Sequence, residues 1–217
     1  MRLILIIPIL AVALQADPIT VIETKSAFGI TSLSYFYNLP TSIGGVEARV
    51  DASAGCLFAA IPCPVNDPAT AIIELTLDLY TAGPVRDGIA LVQLVVDGDG
   101  DAGGTTRESA AIGPYSAPFC SKGLSCHLSG YFPFQLGVPF TLDVYALAYG
   151  FAPIGGAGDT AFASIQLYET PQQGGGVTGA PVQIYLIPEP SAAALAISGL
   201  FTLMILAAIR RRRLFPR

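Results

Sequence analysis

The chain of 217 residues has no tryptophan, one histidine and two methionines, and only 12% of it is charged. The shortage of histidine bears first on catalysis. A nucleophilic triad needs a base beside its nucleophile, and His127 is the only imidazole. It follows Cys126 directly, and neighbours on a strand point to opposite faces, so the two are poorly placed for proton transfer. No G-x-S-x-G elbow and no phosphate-cradling glycine loop occurs. A glycosidase needs two facing carboxylates, and no spacing in this chain selects such a pair. These gaps predict a body without catalytic activity.

Basic residues are also scarce once their positions are considered. Six of the eleven (Arg2, Arg210 to Arg213 and Arg217) lie at the two ends. Residues 17–187 then hold 5 basic and 15 acidic side chains, a net charge of −10 with the histidine neutral. So acidic a body excludes nucleic acid as a partner, because phosphate must be met by basic patches. Solubility, cation binding and contact with neutral or cationic polymers remain open to it.

The ends differ from the body. Met1-Arg2, the apolar run Leu3 to Leu14 and the small residue Ala16 have the anatomy of a secretory signal peptide, residues 1–16. Signal peptidase is then a partner, cutting after Ala16 or at the earlier Ala11-Val12-Ala13. At the other end, residues 188–217 carry Pro188-Glu189-Pro190, an uncharged stretch from Ala192 to Ile209, and Arg210-Arg211-Arg212-Arg213. Eighteen helical residues span roughly 27 Å, enough for a thin bilayer core. Arginines directly after such a span stay on the cytoplasmic side. The two prolines hold the chain extended before the membrane, where a processing enzyme can reach it.

This tail resembles the PEP-CTERM sorting signal of Gram-negative bacteria. The resemblance covers about the last thirty residues and implies recognition by exosortase at the inner membrane near Pro188, Glu189 and Pro190. It further implies removal of the tail, with the body released or held at the cell surface or in the extracellular matrix. It implies no activity for the body, since very different bodies carry such tails.

The 171 residues from 17 to 187 are enough for one domain with a real core. Period-two alternation dominates them. Ile73, Leu75, Leu77 and Leu79 face one way, as do Phe140, Leu142, Val144, Ala146 and Ala148, and Ala161, Ala163, Ile165 and Leu167. Gly88 to Val96 is apolar on nearly both faces, as in a central strand. Further strands are expected at 19–24, 31–37, 46–51, 127–134 and 182–187. Turn-rich separators stand at Gly83-Pro84, Gly113-Pro114, 153–158 and 174–176. The predicted fold is all-β, an antiparallel sandwich of jelly-roll type over 17–170, followed by a Gly/Pro-rich tether and a last strand in 171–187.

Three features of the body carry candidate chemistry. Cys56, Cys63, Cys120 and Cys126 would lie in an oxidising compartment, where disulfides persist. Four cysteines allow three connectivities, and the short spacings favour Cys56–Cys63 with Cys120–Cys126. A zinc site with His127 is disfavoured, because C-x6-C and C-x5-C-H do not match the usual tight pairs. In "DGDGDAGGTTRE", Asp97, Asp99, Asp101 and Glu108 stand at relative positions 1, 3, 5 and 12, the ligand spacing of a calcium loop. Ala102 replaces the glycine of the sharp turn and the flanks read as strand, so a flexible acidic hairpin is the simpler expectation. No other cofactor is expected. Tyr80, Tyr145, Tyr149 and Phe162 lie on the less apolar faces of their strands and form a candidate sugar platform, or else pack a second face. The expected function is that of an exported structural or interaction protein of the cell surface, exopolysaccharide or biofilm matrix. A carbohydrate-binding module, with extracellular polysaccharide as partner, is the alternative, and an extracellular hydrolase ranks third.

Overall fold

Alternation of apolar and polar side chains produces two antiparallel sheets in the computed structural model of the chain. It describes residues 18–39, 45–56, 68–100, 104–117, 125–151, 155–170 and 179–188. The strands are β1 (Ile19–Lys25), β2 (Ile30–Asn38), β3 (Gly45–Cys56), β4 (Ala69–Thr81), β5 (Arg86–Gly100) and β6 (Gly104–Ile112). They continue with β7 (Tyr115–Ser116), β8 (Ser125–Leu136), β9 (Phe140–Gly150), β10 (Gly155–Glu169), β11 (Pro181–Val182) and β12 (Ile184–Leu186). Among the described residues no helix is long and apolar enough to cross a membrane. The expected signal peptide 1–16 and span 192–209 lie outside the described residues, as do Glu189, Pro190 and Arg210 to Arg213; Pro188 is exposed.

Sheet A runs β1-β4-β9-β6-β7 and sheet B runs β2-β3-β10-β5-β8. The pairs β3·β10, β4·β9, β5·β8 and β6·β7 are nested, each antiparallel and alternating between the sheets. The end of the body pairs with an interior strand of each sheet: β11 joins β10 in sheet B past the end of β3, and β12 joins β4 in sheet A past the end of β1. The last expected strand is thus divided between the two sheets.

The core lies between the inner faces. Ile73, Leu75, Leu77 and Leu79 of β4 pack over the small inward residues of β3, and Val92, Leu94 and Val96 of β5 pack over β6, all buried in one cluster. Burying a Leu or Ile side chain stabilises by roughly 1.5–3 kcal/mol, so this shared interior is the main force joining the sheets. The small residues let the backbones come close. A Cβ on Gly150 would lie 2.6 Å from the Gly155 carbonyl oxygen and 2.8 Å from Gly55 Cα, so only glycine fits there without a shift.

One expectation fails outright. Of residues 97–108, read from sequence as a flexible acidic hairpin loop, Asp97 to Gly100 belong to β5 and Gly104 to Glu108 to β6, which pairs with β9 along its whole length. Asp and Gly are turn formers by local preference, but hydrogen bonding to β9 and burial of Ala110 and Ile112 outweigh that preference.

Candidate functional site

The outer face of sheet B collects hydrogen-bonding side chains from five strands. Register places Asn38 opposite Glu47, Glu47 opposite Ser164, Ser164 opposite Gln93, and Gln93 opposite Ser129. These five form one row perpendicular to the strands, roughly 19 Å long at about 4.8 Å per strand. Each alternates with core residues such as Val46, Leu94 and Ile165, which turns it outward. Two residues along each strand lies a second row, Phe36, Arg49, Phe162, Val95 and His127. On the other side stand Gln166, Leu91 and Tyr131. The polar row is therefore a furrow between partly aromatic ridges, with Phe36 55% and Tyr131 51% exposed. It forms a concavity of about 280 Å³ lined by Glu47, Leu91, Gln93, Ser129, Ser164 and Gln166.

Beyond the aromatic ridge the face becomes charged. Arg49 donates to Asp51 from Nε at 2.9 Å and from Nη2 at 2.7 Å, and Thr160 donates its hydroxyl to Asp51 at 2.8 Å. Burial raises the Asp51 carboxyl, but donors Arg49, Thr160 and Ser34 together outweigh it and hold the group below its ordinary range.

A larger, mainly apolar cleft of about 720 Å³ opens between the β6–β7 and β8–β9 turns, with Pro114, Pro133, Phe134, Val138, Pro139 and Phe140 in its lining. Phe134 and Phe140 meet edge to face there, centroids 5.1 Å apart. It offers few hydrogen-bonding side chains, chiefly Asp87, Gln135 and Thr141.

The residues singled out from sequence are dispersed. Tyr80, Tyr145 and Tyr149 lie on the outer face of sheet A, whereas Phe162 belongs to sheet B, so the four cannot form one platform. Tyr80 stacks instead on Tyr185 at 5.5 Å, and Tyr149 on Phe151 at 6.3 Å. Asp97 and Asp99 are exposed on β5, while Glu108 on β6 is fully buried; Asp101 is not among the described residues. Glu108 thus points into the sandwich and Asp97 and Asp99 point out of it. Among the described residues no three His, Cys, Asp or Glu side chains converge as for a metal ion.

Cys56 ends β3 and Cys126 is the second residue of β8, and neither is a free thiol. Three strand spacings, about 14 Å, separate β3 from β8, which puts a Cys56–Cys126 bond out of reach. Cys63 and Cys120, their expected partners, lie outside the described residues. His127 is exposed on the outer face, opposite in direction to Cys126.

Sequence reading missed a buried acidic pair among the described residues. Glu108 and Asp159 are 0% and 3% exposed, on facing strands β6 and β10. Burial pushes the Asp159 carboxyl up to about 8, aided by the charge of Glu108 and opposed by the N–H of Leu147. Burial also raises Glu108, with a further push from Asp97. The available signal was an acidic residue at an inward position of an otherwise apolar alternation: Asp159 shares the phase of Ala161, Ala163 and Ile165. Closed to solvent, the pair cannot reach a substrate.

No family model matches the chain. No curated protein and no solved structure matches it either. The functional reading therefore rests on the residues and the geometry alone.

Proposed function

We propose that this is a non-catalytic surface protein, exported, sorted through its PEP-CTERM-like tail by exosortase, and retained at the surface or in the extracellular matrix. Its body acts there as an interaction module for extended neutral polysaccharide. The observation that carries the binding role is the cross-strand row Asn38, Glu47, Ser164, Gln93 and Ser129 between aromatic ridges. Hydroxyl and amide groups at strand spacing suit the repeated hydroxyls of a sugar chain, and exposed rings offer faces on which pyranose rings stack. A charged ligand fits less well, because Glu47 is the one ionisable group in the row. The nested pairing β3·β10, β4·β9, β5·β8 and β6·β7 supports reading the sandwich as a jelly roll, a fold that hosts lectins among many other functions.

Affinity electrophoresis of the full chain through gels containing different soluble neutral polysaccharides tests this role. Retardation should occur with at least one polymer and weaken at least tenfold in Gln93→Ala and Phe162→Ala. Unretarded migration in every gel, or retardation indifferent to both substitutions, would remove the carbohydrate reading.

A further inference from the structure

The buried cluster between β6 and β10 is short of positive charge. Glu108 Oε1 and Oε2, Asp159 Oδ1 and Thr106 Oγ1 are all buried, and none has a partner in hydrogen-bond geometry. They are nevertheless close neighbours: the Asp159 carboxyl and the Thr106 hydroxyl both act on the charge of Glu108. Two ionised carboxylates can only accept, so Glu108 and Asp159 can satisfy each other only by sharing a proton. The charges that act on the pair are carboxylates too, Asp97 on Glu108 and Glu108 on Asp159. Among the described residues the buried polar side chains are Thr81, Glu108 and Asp159, so no buried cation compensates them. Arg107, beside Glu108, faces outward, and Arg49 and Arg86 pair with Asp51 and Glu169 at the surface.

Gly98 shapes the space beside these oxygens. It pairs with Asp159 and faces β6, and a Cβ there would strike Thr106 Oγ1 and lie 3.1 Å from Glu108 Oε2. The bare Gly98 backbone thus lets β5 approach two of the four unpartnered oxygens closely, with the Asp159 strand alongside.

We propose that this interior site binds one calcium ion, held by Glu108, Asp159 and Thr106 across the two sheets. Four hard oxygens and no nitrogen or sulfur select calcium or magnesium over zinc or copper. Two carboxylates balance the charge of a divalent ion, whereas a single shared proton would leave one uncompensated charge in the core. Calcium fits better than magnesium, because its flexible shell can complete these side-chain oxygens with main-chain carbonyls or water, whereas magnesium demands near-ideal octahedral geometry. The site differs from the Asp97–Asp99–Asp101 set suggested by sequence, sharing only Glu108. It requires neither the sorting route nor the polysaccharide role.

Thermal unfolding of the full chain, purified in detergent, in millimolar calcium, in magnesium and in chelator provides the test. Calcium should raise Tm by at least about 5 °C over chelator, and magnesium by less. Glu108→Gln and Asp159→Asn should abolish the calcium shift and, in chelator, equal or exceed the parent in Tm, since the like-charge pair is gone. Asp99→Asn should leave the shift intact. Metal analysis of parent chain refolded in calcium should find one tightly held ion per chain, a readout that survives if the variants do not fold. Refolded parent without bound calcium overturns the proposal, as does a calcium shift retained in both variants. A magnesium shift equal to that of calcium would overturn the choice of ion.

Discussion

The backbone N–H of Leu147 on β9 donates a 2.9 Å hydrogen bond to Oδ2 of Asp159 on β10, joining the two sheets through the core. Removing that acceptor strands a buried donor. Asp159→Ala should therefore destabilise the fold by about 1–3 kcal/mol, the usual cost of an unsatisfied buried group. Asp159→Asn keeps a carbonyl oxygen for Leu147 and should lose no stability. Urea unfolding of both variants in chelator compares them; equal losses would mean that the Leu147 bond does not matter.

Glycines of the same sheet should respond oppositely to alanine. At Gly98 an added methyl meets Thr106 and Glu108, whereas at Gly158 nothing lies within 4 Å. Gly98→Ala should cost about 1–3 kcal/mol through overpacking. Gly158→Ala should be neutral or stabilise by up to about 1 kcal/mol, because alanine loses less backbone freedom in a strand. Tm values for the two variants check this, and a harmless Gly98→Ala would show that the inter-sheet contact is loose.

Acid should weaken the outer face of sheet B through Asp51. Its folded-state carboxyl sits below the ordinary carboxylate value, so it binds protons less readily than in the unfolded chain. The stabilisation is present above that value and is lost as pH falls through the depressed folded value. The ion pair is substantially exposed, so the effect is small, under about 1 kcal/mol. Asp51→Asn should narrow the stability difference between pH 5 and pH 3, measured by urea midpoints. An unchanged difference would show that solvent screens the network completely.

Peptide mapping without reduction should recover Cys56–Cys63 and Cys120–Cys126. Sheet order already separates Cys56 from Cys126, which leaves the crossed pairing Cys56–Cys120 with Cys63–Cys126 as the competitor. Recovery of crossed peptides would overturn the local pairing.

For the tail, Pro188-Glu189-Pro190 changed to three alanines should leave insertion intact and block processing, because the apolar stretch is untouched and the extended segment is lost. Immunoblots of membrane and secreted fractions, with and without exosortase, should show uncleaved chain retained in the membrane. Equal release of mutant and parent would make the tail an ordinary anchor.

Most of the strands were legible because a side-chain period of two is a local property. Ile73 to Leu79 and Ala161 to Leu167 declare their buried faces within seven residues each, and all of the named positions are buried. The nearly two-faced apolar run Gly88 to Val96 likewise announced an interior strand, and β5 lies between β10 and β8. Strand β6 escaped because its residues are poor in local strand signal, and its pairing with β9 decides its conformation.

The sequence alone also determined the composition of the ends, the acidity of the body and the absence of a histidine-based triad, since these depend on residue identity and near spacing. Which residues share a surface was decided by tertiary structure. Glu47, Gln93, Ser129 and Ser164 come from four strands far apart in the chain, and sheet order with register brings them into one row. Glu108 changed meaning for the same reason. Its spacing from Asp97 and Asp99 suggested a shared loop, but pairing with β9 turned it inward toward Asp159, fifty-one residues away. Alternation says that a residue has an inside and an outside neighbour, whereas the partner it meets there is set by the packing of two sheets.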